Sequence, residues 1–267
     1  MSRCGFCYVA DCDAYIDEAM ASIASLRERM PDAAIAFVTK RELFRSNRAV
    51  TDWIELRQDR IGPIVKTDAR LAPYDRVIFL DTDTFITGDL IGLFTLLDRF
   101  DFAFAPEPNG RPDHGTDAGV PQAFPEPNSG VFAFRKGLAT DRLFDRWIEE
   151  YDRLHQSLGV TNDQPALRIA LWKSDAVRHL MLGSEFNLIP HTNSSVSGAV
   201  AVLHDRSPDR QRLASEINRR VGPRAIVPGF GPVFGFITRR GWAHQFASLS
   251  WNFLRLLLRP NLVRQQG

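Results

Sequence analysis

Two aspartates separated by one residue, Asp81 and Asp83, are the first candidates for chemistry in this sequence. They directly follow residues 77–80, a short apolar run typical of a buried strand. In extended geometry, side chains two residues apart point to the same side of the chain. Both carboxylates can therefore face one hard cation and leave its other positions to phosphate oxygens and water. The pair predicts a divalent-metal site that accepts a phosphorylated ligand.

The position of an Asp-x-Asp triplet in the chain, rather than its presence, is informative. With 22 Asp, chance alone predicts about two Asp-x-Asp triplets, and the chain contains two. Asp11 and Asp13 follow the first predicted strand, whereas Asp81 and Asp83 follow the strongest strand in the middle of the chain. Open α/β sheets bind ligands at the carboxyl ends of their strands. The alternative for Asp81 and Asp83 is a plain strand-end turn with capping aspartates.

Strands and helices alternate around these residues. Residues 6–10, 14–30 and 35–39 have the patterns of strand, helix and strand, which predicts a parallel, right-handed βαβ unit. Further strands are predicted at 77–80, 102–105 and 130–134, and helices at 42–48, 143–158 and 165–172. A long loop rich in Gly, Pro, Asn and Asp lies between residues 106 and 127. The pattern predicts an α/β fold.

Five segments, in this order, resemble GT-A glycosyltransferases. The closest resemblance is to family 8, the glycogenin and lipopolysaccharide galactosyltransferase group, and to bacterial nucleotide-diphospho-sugar transferases. The segments are DRVIFLDTDTF at 75–85 with GDL and LF following at 88–94, NSGVFAF at 128–134, NDQPAL at 162–167, FNLIP at 186–190 and VLH at 202–204. The resemblance covers about residues 5 to 206. It implies a Rossmann-like GT-A fold with a mixed central sheet.

The resemblance also implies a metal-dependent transfer of a sugar from a nucleotide diphosphate, with a UDP-sugar expected as donor. Asp83 would bind Mn²⁺ or Mg²⁺ directly, Asp81 would bind the metal and the ribose, and His204 would complete the site. An imidazole ligand favours Mn²⁺. An ordinary strand-end histidine is the alternative for His204, because the Gly and Lys-Pro-Trp that follow it in the family are absent here. Arg206 or Arg210 would replace that lysine at the phosphates.

Donor-binding and reacting residues follow from the same resemblance. Ala10, Asp11 and Asp13 would contact the base and ribose, Lys66 would contact the donor, and Asn128 and Gly130 would line the sugar pocket. Asp163 and Gln164 would lie near the reacting carbon. The alternatives are an N-terminal helix cap for one of Asp11 and Asp13, a solvated surface side chain for Lys66 and a helix cap for Asp163. Since no glutamate in the matched segments stands as an obvious general base, we expect retention of configuration, although Glu107, Asp113, Asp117 or Glu126 of the long loop could serve.

Two other classes of protein compete with this interpretation. Phosphatases of the haloacid dehalogenase class also carry Asp-x-Asp after an apolar strand, but their motif lies near the start of the chain. They also have Thr or Val at the position of Phe85. A noncatalytic interaction protein that kept the fold is the third class. It predicts no metal-dependent nucleotide binding.

Charge is distributed unevenly along the chain. The formal net charge is +1, yet residues 219–267 contain eight Arg, no Lys and no acidic residue, so the rest has an acidic excess. We therefore divide the chain into a catalytic domain, residues 1–218, and a basic, aromatic-rich tail, residues 219–267. An apolar stripe in the tail predicts a helix, formed by Trp242, Phe246, Leu249, Phe253 and Leu256. This helix would either pack on the domain or bind an anionic membrane surface.

The remaining expectations concern partners and location. The acceptor would be a saccharide or a glycolipid, and nucleic acid is not expected because the tail arginines are spread among apolar residues. Three Cys within residues 4–12, without a nearby His, fit a reducing compartment. Neither a signal peptide nor an apolar run of about 18 residues is evident. We expect a cytoplasmic protein, peripheral on the inner face of the membrane if the tail binds lipid.

Overall fold

A computed structural model of the chain describes residues 3–57, 62–108, 119–228 and 231–234. The strands are β1 (Cys4–Val9), β2 (Ile35–Thr39), β3 (Asp52–Glu55), β4 (Arg76–Leu80), β5 (Thr84–Ile86), β6 (Phe102–Pro106), β7 (Pro127–Arg135), β8 (His179–Met181), β9 (Ser194–Val196), β10 (Val202–His204), β11 (Arg224–Val227) and β12 (Gly231–Phe234). The α-helices are α1 (Asp13–Arg29), α2 (Ile91–Leu96), α3 (Leu138–Leu158), α4 (Gln164–Trp172) and α5 (Arg210–Asn218). Short 3-10 helices occupy Arg41–Leu43, Pro63–Leu71 and Ser184–Phe186.

Seven strands form the central sheet in the order β3-β2-β1-β4-β7-β6-β8. β1 pairs in parallel with β2 and β4, whereas β7 runs antiparallel to both β4 and β6. The carboxyl end of β4 therefore meets the amino end of β7, where the N–H of Asp81 donates to the carbonyl of Gly130 at 2.8 Å. The predicted α/β class with a mixed sheet is confirmed.

Both faces of the sheet are buried, as expected for strands that are apolar at almost every position. On β4, Val77 and Phe79 point into a core shared with α3 and α4. Ile78 and Leu80 point the opposite way, into a core shared with α1 and α2. Since helices cover both faces, polar chemistry is confined to the ends of the strands and to the loops beyond them.

Two smaller sheets lie beside the central one. β5 and β10 form an antiparallel pair in which His204 lies opposite Thr84. β9, β11 and β12 form a three-stranded antiparallel sheet. The first of these pairs is important for the site, because β5 begins directly after Asp83 and β10 brings His204 back to it.

Most predicted elements are present within a few residues of their expected bounds, and the strand at 35–39 has the expected bounds. The helix predicted at 42–48 is wrong. The structure has only a single 3-10 turn, Arg41–Leu43, followed by the unpredicted edge strand β3. Aromatic contacts decide this segment: Phe44 and Phe37 lie 5.9 and 5.1 Å from Trp53 between ring centroids, so the chain follows the sheet edge.

The C-terminal region is described only in part. Beyond residue 218, β11 pairs with β9, and Ile226 contributes to a buried apolar cluster with Val196 and Leu203. The predicted division at residue 219 stays a prediction. The predicted tail helix lies outside the described residues. Among the residues that the structure describes, no helix is long and apolar enough to cross a membrane.

Candidate active site

The Asp81–Asp83 pair lies where β4 leaves the sheet. The carbonyl of Asp81 accepts hydrogen bonds from the backbone N–H and the hydroxyl of Thr84, at 3.2 and 2.8 Å, which closes a tight turn between β4 and β5. Thr84 is fully buried, so the turn is held from inside the core. These turn hydrogen bonds go to the main-chain carbonyl of Asp81, so the carboxylates of Asp81 and Asp83 take no part in them.

His204 lies directly beside the pair. The backbone N–H of Asp205 donates to the carbonyl of Asp83 at 3.0 Å, and Nε2 of His204 lies 2.9 Å from Oδ1 of Asp83. One ligand atom from each of Asp81, Asp83 and His204 lies within 4.8 Å of the other two. The structure therefore brings the three predicted metal ligands together, and the role of His204 as a ligand stays a prediction.

Gly130 makes room for the imidazole. A Cβ at this position would lie 2.3 Å from Cε1 and 2.6 Å from Nδ1 of His204. Such distances are impossible for carbon and nitrogen atoms that are not bonded to each other, so any larger residue would displace the ring. The glycine was predicted to line the sugar pocket, and in the structure it contacts the candidate metal ligand.

Two buried amides extend from Gly130 to His204. Oδ1 of Asn128 accepts from the N–H of Gly130 at 2.9 Å and from Nδ2 of Asn187 at 2.7 Å. Oδ1 of Asn187 lies 2.9 Å from Nδ1 of His204. Asn187 belongs to one of the five resembling segments, but sequence reasoning gave it no role. Its distance along the chain from Asn128 hides the contact.

Lys66 is buried beneath the aspartates. Only 8% of the residue is exposed, and its Nζ lies 3.2 Å from Oδ2 of Asp81, 3.1 Å from Oγ of Ser129 and 3.9 Å from Oδ1 of Asp163. Burial lowers the pKa of Lys66, but Asp163 and Asp81 outweigh burial and hold that pKa above its ordinary value. The solvated-surface alternative for Lys66 is wrong, and its charge links two carboxylates.

Asp163 precedes α4 without capping it. The N–H of Gln164 bonds to Oδ1 of Asn162 at 3.0 Å instead, and the Asp163 side chain makes no capping bond. Asp163 is 3% exposed; its Oδ1 accepts from Ser129 at 3.2 Å, and its Oδ2 has no hydrogen-bond partner among the described residues. Burial is the largest cause of a raised pKa, which Lys66 only partly offsets. The helix-cap alternative for Asp163 is wrong.

Glu107 orients the amide of Gln164. Its Oε2 accepts from Nε2 of Gln164 at 3.1 Å and from Nδ2 of Asn128 at 2.8 Å. Because a carboxylate oxygen accepts, the NH₂ end of Gln164 faces Glu107 and the carbonyl oxygen of that amide is the other end. The sequence had singled out Glu107 only as one of several loop carboxylates; Asp113 and Asp117 lie outside the described residues.

A second cation, Arg206, lies on the opposite side of Asp83. Its Nη2 is 3.2 Å from Oδ2 of Asp83, and its Nε donates to Glu18 of α1 at 3.0 Å. Glu18 also accepts from Oγ1 of Thr82 at 2.6 Å. Burial on its own would raise the pKa of Asp83, but His204 and Arg206 lower that pKa to about 2. The carboxylate of Asp83 is therefore kept charged and ready for a cation.

The residues after β1 form a separate part of the same edge. The N–H of Ala10 donates to the carbonyl of Val38 at 3.0 Å, and Asp13 accepts from Arg45 at 2.7 Å. Cys12 is the N-cap of α1 and makes no side-chain capping bond, so the cap alternative for Asp11 or Asp13 is wrong. Their predicted contacts with a nucleoside stay a prediction.

The donor set fits a divalent cation. Two carboxylates supply hard oxygen ligands, and an imidazole supplies a nitrogen ligand that Mn²⁺ accepts better than Mg²⁺ does. His204 Nε2 lies 2.9 Å from Asp83 Oδ1, close enough for a divalent cation to take both atoms as neighbouring ligands. The residues present therefore match the group that the sequence predicted.

Comparisons with known proteins give the same architecture. No family model and no curated protein matches the sequence. The structure is similar to the glycosyltransferase GlyE of Streptococcus pneumoniae TIGR4, with a TM-score of 0.56 and 21% identity, covering 77% of this chain and 55% of GlyE. It is similar to the galactosyltransferase LgtC in complex with donor and acceptor sugar analogs, with a TM-score of 0.53 and 17% identity, covering 76% of this chain and 87% of LgtC.

Mouse xyloside xylosyltransferase 1 is a third similar structure, with a TM-score of 0.51 and 13% identity, covering 76% of this chain and 97% of the mouse chain. The three proteins are glycosyltransferases, and the similarity to each extends over about three quarters of this chain. This chain spans only about half of GlyE. The chain has the GT-A fold of these glycosyltransferases.

Proposed function

We propose that this protein is a metal-dependent glycosyltransferase that moves a sugar from a nucleotide diphosphate donor to a saccharide or glycolipid acceptor. The observation that carries the proposal is the convergence of Asp81, Asp83 and His204 within 4.8 Å at a strand end of a GT-A fold. Two segments far apart in the sequence supply these ligands, the β4–β5 turn and β10, and chain proximity alone cannot bring His204 to the aspartates. This convergence supports a metal-dependent activity over a noncatalytic role for the fold.

Asp81, Asp83 and His204 would hold the metal, for which we propose Mn²⁺. The metal supplies Lewis acidity that stabilises the negative charge developing on the diphosphate leaving group. Arg206 lies next to Asp83 and its side chain is exposed, so it can contact phosphate oxygens. We propose that Arg206 contacts the phosphates in place of the lysine that the family has and this chain lacks. UDP is the proposed nucleotide, with Ala10, Asp11 and Asp13 toward the base and ribose.

Asp163 and Gln164 are the proposed residues at the reacting carbon, beside Lys66 and the pocket-lining Asn128. The unpartnered Oδ2 of Asp163 offers a negative charge to an oxocarbenium-like sugar. Glu107 holds the NH₂ end of Gln164, so the amide oxygen is the end left for the sugar. We propose retention of configuration, since Glu107 already accepts two amide donors and so serves to position them.

A screen of nucleotide sugars tests the proposal without knowledge of the acceptor. The full chain is incubated with Mn²⁺ and each nucleotide sugar, and hydrolysis and the melting temperature are measured. We expect one donor to be hydrolysed in a Mn²⁺-dependent way and to raise the melting temperature. Asp83→Ala should abolish both effects. Phosphatase activity on simple phosphoesters, or no effect of any nucleotide sugar on either measurement, would overturn the proposal.

The location of the protein also stays a proposal. We propose a cytoplasmic enzyme whose basic tail, residues 219–267, meets an anionic membrane surface near a lipid-linked acceptor. A chain truncated after residue 234 should be lost from the membrane fraction and retain hydrolysis of the donor. If the full and truncated chains are found in the membrane fraction to the same extent, the tail does not bind the membrane, and the alternative that it packs on the domain is favoured.

A further inference from the structure

We propose that Asn187 is a positioning residue for the metal: it fixes the proton of His204 on Nδ1 and so reserves Nε2 as the metal ligand. The inference rests on the metal site of the proposed function and adds residues that act behind it. It depends on a chain of hydrogen bonds in which the direction of each bond follows from the one before.

The chain begins at a backbone group whose role is fixed. The N–H of Gly130 can only donate, so the atom of Asn128 that lies 2.9 Å from it must be the amide oxygen, Oδ1. The opposite end of that amide, Nδ2, then faces Glu107 Oε2 at 2.8 Å, which accepts. Reversing the Asn128 amide would place two donors together at Gly130 and two acceptors together at Glu107.

The donor and acceptor ends of the Asn187 amide follow from those of Asn128. Oδ1 of Asn128 also receives a hydrogen bond at 2.7 Å, and the donor must be Nδ2 of Asn187. The carbonyl oxygen of Asn187 is therefore the atom 2.9 Å from Nδ1 of His204. An amide oxygen only accepts, so Nδ1 of His204 carries a proton.

The ring then has one nitrogen left. With the proton on Nδ1, a neutral imidazole holds its lone pair on Nε2, which faces Asp83 Oδ1 at 2.9 Å. A divalent cation would take both atoms as ligands, in place of the proton that otherwise joins them. Metal-bound histidines commonly donate their second N–H to an oxygen acceptor, and this bond orients the ring and strengthens the ligand.

Burial keeps water from replacing this chain of bonds. Asn128 is 3% exposed and Asn187 is 2% exposed. A buried polar group that loses its partner is not compensated by water, so this series of hydrogen bonds, which we call the relay, keeps its direction. Gly130 has two roles. Its N–H donates the first hydrogen bond of the series, and the absence of a Cβ leaves room for the imidazole of His204 at the other end.

Two substitutions of Asn187 separate positioning from plain stability. Asn187→Leu has a similar size and removes the acceptor for His204. Asn187→Asp is the matched control, because it keeps an oxygen facing Nδ1 of His204; it replaces the donor to Asn128 by a second acceptor, and the melting temperature reports the cost of that change. Mn²⁺ binding to the full chain is titrated by electron paramagnetic resonance, and the melting temperature of the metal-free proteins reports folding.

Selective ¹⁵N labelling of histidine gives a direct readout of the ring. Zn²⁺ serves as a diamagnetic ion, and the spectrum of His204→Gln identifies the signals of this residue among the six histidines. We expect the wild type to hold the proton on Nδ1 and the metal on Nε2. Asn187→Leu should weaken Mn²⁺ binding about tenfold or more, as removal of a partner behind a metal ligand does. Asn187→Asp should stay within about threefold of the wild type or bind more tightly, since it adds negative charge.

The outcomes distinguish the two proposals. A metal-bound Nδ1 in the wild type, or Mn²⁺ binding that Asn187→Leu leaves unchanged, overturns the relay and leaves the proposed function standing. Failure of the wild-type chain to bind Mn²⁺ or Zn²⁺ through Asp83 overturns the metal site, and the proposed function falls with it. Equal weakening by Asn187→Leu and Asn187→Asp, in proportion to their melting temperatures, assigns Asn187 a structural role and overturns the relay.

Discussion

The two ends of β7 carry two clusters of charged side chains that differ in how completely they are paired. At the amino end, Asn128, Ser129 and Gly130 contact the candidate active site. At the carboxyl end, Arg135 bonds to Asp101, which also receives hydrogen bonds from Nε, Nη2 and the backbone N–H of Arg178. One strand therefore connects a candidate functional cluster with a cluster that has a plain structural role.

The aspartates of the two clusters show the contrast. The hydrogen bonds from Arg178 are the main cause that holds the pKa of Asp101 far below its ordinary value. Asp163 is more deeply buried, its Oδ2 has no partner in the part of the chain that the structure describes, and its pKa is raised by that burial. Carboxylates whose pKa is raised by burial, such as Asp163, are found more often at functional sites. Carboxylates with a full set of hydrogen bonds, such as Asp101, also stabilise the fold. Between Asp101 and Asp163, incomplete pairing rather than charge distinguishes the aspartate of the candidate active site, where Asp83 is in turn paired by His204 and Arg206.

The largest effect expected is that of Asp83→Asn. Loss of the charge removes a metal ligand, and the metal contributes several kcal/mol to stabilising the leaving group, which corresponds to a loss of more than about 100-fold in donor hydrolysis. Asp101→Asn is the matched control at the other end of β7 and should keep wild-type hydrolysis. Initial rates at saturating Mn²⁺ measure both. Similar losses in the two variants would erase the distinction between the clusters.

Gly130→Ala should give the next largest effect. The added methyl group would lie 2.3 Å from Cε1 of His204 and push the ring away from Asp83, so we expect Mn²⁺ to bind about 10- to 100-fold more weakly. The control is Gly92→Ala in α2, where a Cβ meets no atom within 4 Å. Calorimetric titration with Mn²⁺ compares the two. If Gly130→Ala binds Mn²⁺ with wild-type affinity, the imidazole of His204 does not need the space beside residue 130.

Asp163→Asn tests the strained carboxylate directly. Because burial raises the pKa of Asp163, its charge destabilises the folded state at neutral pH. The neutral variant should match or exceed the wild-type free energy of unfolding by up to about 1 kcal/mol while its hydrolysis rate falls. The difference in stability should shrink as the pH falls through the raised pKa, since the wild-type side chain is then also neutral. Urea unfolding at pH 8 and at pH 4, close to the ordinary pKa of an aspartate, measures this; a loss of stability in the variant at pH 8 would contradict the comparison.

The sequence predicts the parts of the site that depend on local pattern and order. The apolar run before Asp81 predicts its place at a strand end, and the order of the segments predicts that His204 reaches it. Burial of Lys66 and the capping of α4 by Asn162 depend on how distant segments meet, so the alternatives for Lys66 and Asp163 stayed open. Glu18 was missed for the same reason, because its bond to Arg206 joins residues 188 positions apart.

The edge of the sheet was predicted less well than its centre. Central strands are buried on both faces, so they are apolar throughout and easily recognised. β3 pairs with β2 on one side only, and its residues are half-buried or exposed, so it lacks that signal. The helix expected just before it fails because Phe44 contacts Trp53, a contact that periodicity cannot reveal.

The smallest effect expected is on stability, at the satisfied end of β7. Asp101→Asn weakens bonds to Arg135 and Arg178, and we expect a loss of about 1 kcal/mol, since the Arg178 side chain is 57% exposed and water screens the pair. The pKa of Asp101 is lowered by folding, so its contribution is complete above the unfolded pKa of about 3.9 and is lost as the pH falls below it. The gap between wild type and variant should therefore be constant from pH 6 to 8 and close toward pH 2. A gap that widens in acid would show that Asp101 is protonated more readily in the folded chain, and the two ends of β7 would then be alike.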